Sequence, residues 1–323
     1  MSFDTRTLAS SDSYHEHISD IFRDVLSLRK KGQRVALAFV TETEGGAVRA
    51  VGAAMAITDT GESYGYVSGG CIDADVRLQA QSALKSNQPK TVRYGKGSPF
   101  IDLPLPCGGA IELTILPDVD RQVLEQVVAR LDNARESCHL GISDTGGLVL
   151  EPSDQDDICH VFQYHPKLRL RIAGRGADAL ALARLAQASG VGVSLHLVDE
   201  ADIEVAGSLA DIATYKLASS GHVPSWQDDC YTAFVLMFHG PDWEDHLLIH
   251  ALSGPCFFVG AVGSRRTQAA RKERLREAGV SAEDLERLKG PIGLVPSMRD
   301  ASMLAISALS EIISEYAGLV RHV

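Results

Sequence analysis

Two cysteines beside paired glycines carry the clearest chemistry in the first half of the chain. Cys71 follows Ser68-Gly69-Gly70, and Cys107 precedes Gly108-Gly109. A thiolate is a nucleophile and a ligand for soft metals, and a helix predicted to begin at Cys71 would favour the thiolate form. Taken alone, either cysteine is more typical of a small buried residue. Two such turns in one half of the chain favour a common site.

A glycine-rich turn in the second half is the other candidate. A short apolar strand, Leu168–Ala173, leads into Gly174-x-Gly176-x-x-Ala179 and then a helix. Without Cβ atoms the backbone can approach a pyrophosphate, whose charge sits at the helix N-terminus. Asp199, at the end of the next strand, could accept hydrogen bonds from a ribose diol. The pattern predicts a nucleotide-binding type of fold, and the alternative is a domain that kept the turn for packing alone.

Further polar residues follow later predicted strands. His239 ends the strand Tyr231–Phe238, and Gly263-Ser264-Arg265-Arg266 ends the strand Phe257–Val262. Because ligands bind at the carboxyl ends of parallel strands, these residues would share a crevice with the glycine-rich turn. The two arginines could pair with a phosphate. A solvated helix face and a structural histidine are the alternatives.

The spacing of apolar residues predicts the elements that position these groups. A helix from Ser13 to Gly32 should bury Ile18, Ile21, Phe22, Val25 and Leu28, and a last helix, Ala301–Tyr316, should bury Leu304, Ile306, Leu309, Ile312 and Ile313. Strands and helices alternate after an acidic stretch at 151–157. We therefore predict an α/β protein with a mixed α/β domain at residues 1–165 and a Rossmann-like, doubly wound parallel sheet at 166–323.

Composition limits the function. The chain has 323 residues, 45% of them hydrophobic, and a net charge of −11, which argues against nucleic acid as a partner. No apolar run approaches the roughly 18 residues of a membrane span and no signal peptide is visible, so a cytoplasmic location is expected. No catalytic triad, carboxylate pair or C-x-x-C motif stands out. The remaining cysteines are predicted to be core residues: Cys138, Cys159, Cys230 and Cys256.

Taken in order, these motifs resemble the XdhC/CoxI family of accessory proteins for molybdenum hydroxylases such as xanthine dehydrogenase. The resemblance rests on seven segments spread over most of the chain: Ser68–Asp73, Leu105–Glu112, Gly174-x-Gly176, Val198-Asp199, the strand ending at His239, Val259–Arg266 and Gly290–Leu294. Each segment is modest alone, and the ordered set is specific.

The resemblance implies a function and a set of site residues. Members of this family hold the molybdenum cofactor while a cysteine desulfurase installs its terminal sulfur, and then deliver it to an apo molybdenum hydroxylase. By this resemblance the protein is a homodimeric chaperone, not an enzyme. Cys71 and Cys107 would contact molybdenum or its sulfur. The phosphorylated pterin, molybdopterin, would lie in the crevice formed by Gly174, Gly176, Asp199, His239, Gly263, Ser264, Arg265 and Arg266.

The chain also departs from the family pattern in that crevice. Ala177 replaces a histidine of the glycine-rich turn, and Gly240-Pro241 replaces the end of a His-Asp-His motif. Two alternatives therefore stay open. One is an NAD-dependent oxidoreductase, with NAD(P) bound at the glycine-rich turn. The other is a non-catalytic scaffold with a vestigial crevice.

Overall fold

The computed structural model describes residues 15–46, 49–98, 105, 108–209, 211–221, 223–238 and 240–321. The chain divides into two compact units, Met1–Pro166 and Lys167–Val323. Three of the predicted positions, Ser13, Cys107 and His239, lie outside the described residues.

The first unit is built on two antiparallel sheets. Its elements in chain order are α1 (Ile18–Lys30), β1 (Val35–Glu44), β2 (Ala54–Thr58), β3 (Ser63–Gly65), α2 (Asp73–Ser86), β4 (Lys90–Gly95), β5 (Ala110–Leu116), α3 (Arg121–Val128), β6 (Cys138–Ser143), β7 (Leu148–Leu150) and β8 (Ile158–Tyr164). The strand order is β3-β2-β1-β5-β4 in one sheet and β7-β6-β8 in the other. A π-helix, Ala129–Ala134, continues α3.

The five-stranded sheet is covered on both faces. Helices α1 and α3 pack on one face and α2 on the other. Burial on both sides explains why the first seven residues of β1 are all buried. The predicted apolar face of α1 is confirmed, and the helix begins at Ile18, with His17 accepting a hydrogen bond from the Ser19 N–H at 3.3 Å.

Strand β1 is longer than the sequence predicts. The apolar run ends at Val40, but a bulge between Val40 and Glu42 lets the strand continue to Glu44 beside β5. By contrast, the antiparallel pairing of β1 with β2 extends only from Val35, opposite Thr58, to Phe39, opposite Ala54.

The exposed cysteines correct another prediction. Cys138 and Cys256 are buried as expected, whereas Cys159 and Cys230 are exposed. Cys159 lies on the outward-facing side of β8, where its thiol donates to Asp144 Oδ1 at 3.2 Å. Cys230 lies in the turn before the strand that starts at Thr232.

The second unit is the predicted Rossmann-like domain. Its elements are β9 (Arg169–Gly174), α4 (Gly176–Ala188), β10 (Gly192–Leu197), α5 (Glu200–Gly207), β11 (Ile212–Lys216), β12 (Thr232–Met237), α6 (Glu244–Ser253), β13 (Phe258–Ala261), α7 (Arg265–Glu277), α8 (Ala282–Arg287), β14 (Leu288–Lys289) and α9 (Ala301–Arg321). The six strands are parallel, in the order β11-β10-β9-β12-β13-β14. The order reverses between β9 and β12, and ligands of such sheets bind at the strand ends beside that point.

Helix α9 buries only part of the predicted side. Leu309 and Ile312 are buried as predicted, but Ile306 and Ile313 are 49% and 45% exposed, and Ala305 and Ala308 are buried in their place. The small alanines let α9 pack closely against α4, itself rich in alanine, and this contact turns the two isoleucines outward.

Helix α9 also bears on the expected absence of a membrane span. Among the described residues it is the one helix long and apolar enough to cross a membrane by length and composition. Its sequence contains no long unbroken apolar run, because serines and glutamates lie between its apolar residues. Its buried side belongs to the core of the second unit.

Candidate functional site

The turn before Cys71 is shaped by the hydroxyl of Ser68. That hydroxyl donates to Asp73 Oδ1 at 2.6 Å and accepts from the backbone N–H groups of Gly70 at 3.0 Å and Ile72 at 3.4 Å. These bonds shape the turn that leads to the N-cap residue Ile72, and α2 begins at Asp73. Cys71 therefore precedes the helix, and its predicted place in the first helical turn is wrong. Its side chain is exposed.

The second cysteine turn is described only through its glycines. Gly108 has φ +69°, and Gly109 leaves no room for a side chain, since a Cβ there would lie 2.5 Å from the Glu44 carbonyl oxygen. A side chain at position 109 would clash with the neighbouring strand, and the positive φ at position 108 favours glycine there. The common site for Cys71 and Cys107 stays a prediction.

The glycine-rich turn, residues 174–179, has the predicted strand–turn–helix form. A Cβ at Gly174 would lie 2.5 Å from Met237 Cβ on the neighbouring strand β12, and Gly176 has φ +70°. The Gly176 N–H, at the start of α4, donates to Asp202 Oδ2 at 2.6 Å. A carboxylate from α5 thus lies where the sequence predicts a phosphate. Nothing in the local sequence pattern signals this contact.

Asp199 is also engaged within the crevice. Its Oδ2 lies 3.8 Å from Arg175 Nε, and both side chains are about half exposed. The Arg175 guanidinium lies 5.6 Å from the centre of the Phe238 ring, which stacks on Trp243. Arg175, Phe238 and Trp243 line a pocket of 280 Å³ together with Gly240 and Asp242.

These two contacts bear on the NAD-dependent alternative. In the predicted dinucleotide site the Gly176 N–H would hold a phosphate and Asp199 a ribose. Instead, the Gly176 N–H donates to the Asp202 carboxylate, and the Asp199 carboxylate lies beside Arg175. The crevice gives this alternative no support.

Ser264, Arg265 and Arg266 lie at the carboxyl end of β13. The Ser264 hydroxyl caps α7 by accepting from the Thr267 N–H at 3.0 Å. Both arginines are exposed, and neither makes an ion pair with a residue that the structure describes. Two exposed guanidinium groups at a strand end suit an anionic ligand.

A buried ion pair braces this edge of the sheet. Arg271 on α7 is fully buried and donates to both carboxylate oxygens of Glu244, at 3.1 and 2.8 Å. It also donates to Gln268 Oε1 and to the Val262 carbonyl, next to the Gly263-Ser264 turn. This pair was not predicted from the sequence, although positions 268, 271 and 275 share one helical face.

Among the described residues, no group of three or more histidine, cysteine, aspartate or glutamate side chains could hold a metal ion. The predicted contact of Cys71 and Cys107 with molybdenum would instead concern a metal that arrives within a bound cofactor.

Comparisons with known proteins agree on one family. The model of the XdhC Rossmann domain matches residues 170–312, and that of the XdhC and CoxI family matches residues 28–95. The chain is 32% identical to the molybdenum cofactor insertion chaperone PaoD of Escherichia coli, over 91% of this chain and 87% of the relative. It is 23% identical to a Bacillus subtilis protein named as a probable xanthine dehydrogenase subunit, over 89% and 94% of the two chains. The fold is similar to that of a solved Bacillus halodurans protein, described as a xanthine dehydrogenase, with a TM-score of 0.74, 22% identity and coverage of 92% and 96%.

Proposed function

This chain belongs to the XdhC and CoxI family, and we propose that it binds the molybdenum cofactor and inserts it into an apo molybdenum hydroxylase. The client is of the xanthine dehydrogenase type. While bound, the cofactor is protected as a cysteine desulfurase supplies its terminal sulfur. The protein acts as a homodimer in the cytoplasm.

The observation that carries the proposal is the exposed thiol of Cys71. The Ser68 hydroxyl fixes the turn before it through three hydrogen bonds, so the thiol is presented to solvent on an ordered backbone. Thiolates are preferred ligands of soft metals and good acceptors for sulfur. A cysteine kept for packing would be buried, as Cys138 and Cys256 are.

The second unit would hold the anionic part of the cofactor. Molybdopterin is a fused ring system with a phosphate, and Arg265 and Arg266 offer two exposed cations beside a helix N-terminus. The Gly176 N–H becomes available only when Asp202 moves away. The relative named a molybdenum cofactor insertion chaperone supports the same function.

The test is to purify the protein from cells that make the cofactor and to measure molybdopterin per protomer, as its fluorescent oxidation product. We expect the wild type to retain molybdopterin and to activate an apo molybdenum hydroxylase. Cys71→Ala should lose most of both properties. Cys230→Ala, which removes another exposed thiol, should match the wild type. A wild type without molybdopterin, or a Cys71→Ala protein that behaves like the control, would contradict the proposal.

A further inference from the structure

Helix α9 carries an exposed apolar stripe in addition to its buried side. Ten large apolar residues are exposed among those that the structure describes, and half of them lie between positions 294 and 313. These five, each 45–61% exposed, are Leu294, Val295, Met303, Ile306 and Ile313. The Val295 N–H donates to Ser307 Oγ at 2.8 Å, so the loop before α9 adjoins the helix and the patch is continuous. A contiguous apolar patch on a protein surface marks a site of interaction.

The stripe has the spacing of a seam between two helices. Its positions on α9 alternate three and four residues apart: Met303, Ile306, Ser310, Ile313, Ala317 and Val320. An average spacing of 3.5 residues keeps such a stripe facing one partner helix along its whole length. The core of the second unit uses other positions of the same helix: Ala305, Ala308, Leu309 and Ile312. Helix α9 therefore has two apolar sides, and the unit itself covers only one of them.

Large and small side chains alternate along the stripe in an order that complements itself. If α9 of a second copy runs antiparallel with position 310 opposite position 313, Ile313 faces Ser310 and Ile306 faces Ala317. Met303 then faces Val320 at each end. Large residues opposite small ones fill the space between two helices. The Ser310 hydroxyl donates to the Ile306 carbonyl at 2.8 Å, so it can be buried without losing its partner.

The size of the patch fits a dimer interface. At about half exposure, its five side chains leave roughly 400 Å² of apolar surface in water. A specific interface buries about 600–1,000 Å² on each partner, and in homodimers about two-thirds of that area is apolar. The apolar share is therefore about 400–650 Å² per partner. The exposed stripe, together with the partly exposed Ala317 and Val320, can supply this area.

The stripe carries no charged residue. The chain has a net charge of −11, so two copies repel each other over most of their surface. Between positions 301 and 320 the only charged residues are Glu311 and Glu315. Glu311 accepts from the Gly293 N–H, and Glu315 lies 3.1 Å from Lys289 Nζ, so both are engaged within the unit. Two copies can therefore pair along α9 without burying an unpaired charge.

We infer that this stripe is the surface through which two copies of the chain associate, by antiparallel pairing of α9 about a two-fold axis. The inference rests on the homodimer of the proposed function and identifies its interface. The stripe residues belong to neither candidate cofactor site, so assembly can be altered without touching Cys71 or the strand-end crevice.

Light scattering after gel filtration measures the mass of the full chain. We expect the wild type to be a dimer at micromolar concentration. Ile306→Glu places a charge in the seam on each copy and should weaken the dimer about 100-fold or more, which leaves a monomer at the same concentration. Leu78→Glu is the matched control, because Leu78 is 63% exposed on α2, and it should remain a dimer.

A disulfide between copies reports the direction of pairing without adding a charge. Positions 303 and 320 lie about 26 Å apart along one helix, too far for a disulfide within one chain. In the antiparallel pair they face each other. Met303→Cys/Val320→Cys should therefore form a covalent dimer on non-reducing electrophoresis, whereas either single variant should match the wild type.

A monomeric wild type, a dimeric Ile306→Glu protein, or a covalent dimer in Met303→Cys alone would overturn the inference. An Ile306→Glu protein that stays dimeric but no longer activates an apo molybdenum hydroxylase would assign this face to the client instead. The cofactor test is separate, because it measures molybdopterin and not mass. A monomer that retains molybdopterin would refute only the interface, and a dimer without molybdopterin would refute only the cofactor proposal.

Discussion

Replacing Glu244 by glutamine removes the charge that compensates a fully buried guanidinium. Arg271 is 0% exposed and Glu244 2% exposed, and the two side chains form a bidentate pair. In Glu244→Gln the arginine keeps its bonds to Gln268 and Val262 but loses its counter-ion. A guanidinium cannot lose its proton to relieve the loss.

The magnitude follows from this burial. Removing one partner of a buried ion pair costs about 3–5 kcal/mol, because the other charge stays buried without compensation. For a unit of this size each kcal/mol lowers the midpoint of thermal unfolding by about 2–4 °C. We therefore expect Glu244→Gln to lower it by about 6–20 °C.

Thermal unfolding followed by tryptophan emission measures this shift, and urea unfolding with the same probe measures the loss of free energy, since both tryptophans lie in the second unit. Glu273→Gln is the matched control, because Glu273 pairs with Arg276 on the surface of α7 and should contribute less than about 1 kcal/mol. The double variant Glu244→Leu/Arg271→Met, which removes both charges, should recover most of the lost stability. A Glu244→Gln loss no larger than that of the control would refute the reasoning.

Three further changes test other contacts. Asp202→Asn should raise the affinity of the glycine-rich turn for inorganic pyrophosphate about tenfold by calorimetry, because a charged competitor for its N–H is gone, whereas Glu204→Gln on the same helix should have no effect. Burial and the Arg171 charge lower the pKa of His196 to about 3, so between pH 3 and 6.5 this residue is protonated only in the unfolded chain. Acidification from pH 6.5 should therefore reduce the free energy of unfolding by about 1.4 kcal/mol per pH unit more in the wild type than in His196→Gln. The same pH dependence of the free energy of unfolding in both proteins, measured in urea, would disprove this. Tyr164→Phe removes a 2.7 Å hydrogen bond to the Gly52 carbonyl in the first unit and should cost about 1 kcal/mol in urea unfolding followed by far-UV circular dichroism, which reports on both units; an unchanged midpoint would show that the bond contributes nothing.

The sequence predicted the architecture well where periodicity and backbone chemistry determine it. Apolar spacing located α1, and the strand–turn–helix form at Gly174 located the parallel sheet. Such signals are local, because each residue's role depends on neighbours three or four positions away.

The predictions were wrong where contacts between residues far apart in the sequence determine the structure. Close packing on α4 sets the rotation of α9, so Ile306 and Ile313 face outward although their spacing is helical. A single hydroxyl, that of Ser68, shapes the turn before α2, which starts after Cys71.

The candidate site was harder to predict than the fold for the same reason. The sequence placed Gly174, Asp199 and Ser264 at strand ends, but it could not show that Asp202 would occupy the Gly176 N–H. That contact joins residues 26 positions apart. The contact between Arg171 Nη1 on β9 and His196 Nε2 on β10 likewise joins residues 25 positions apart.

The Asp202 contact has a kinetic consequence. An incoming anion cannot simply fill the glycine-rich turn, because it must exchange with a carboxylate tethered to the same chain. Its apparent affinity is its intrinsic affinity multiplied by the fraction of molecules in which Asp202 has moved away. On departure the tethered carboxylate replaces the anion at once, so the N–H is not left without an acceptor. Exchange of this kind shortens residence and suits a carrier that passes its ligand on.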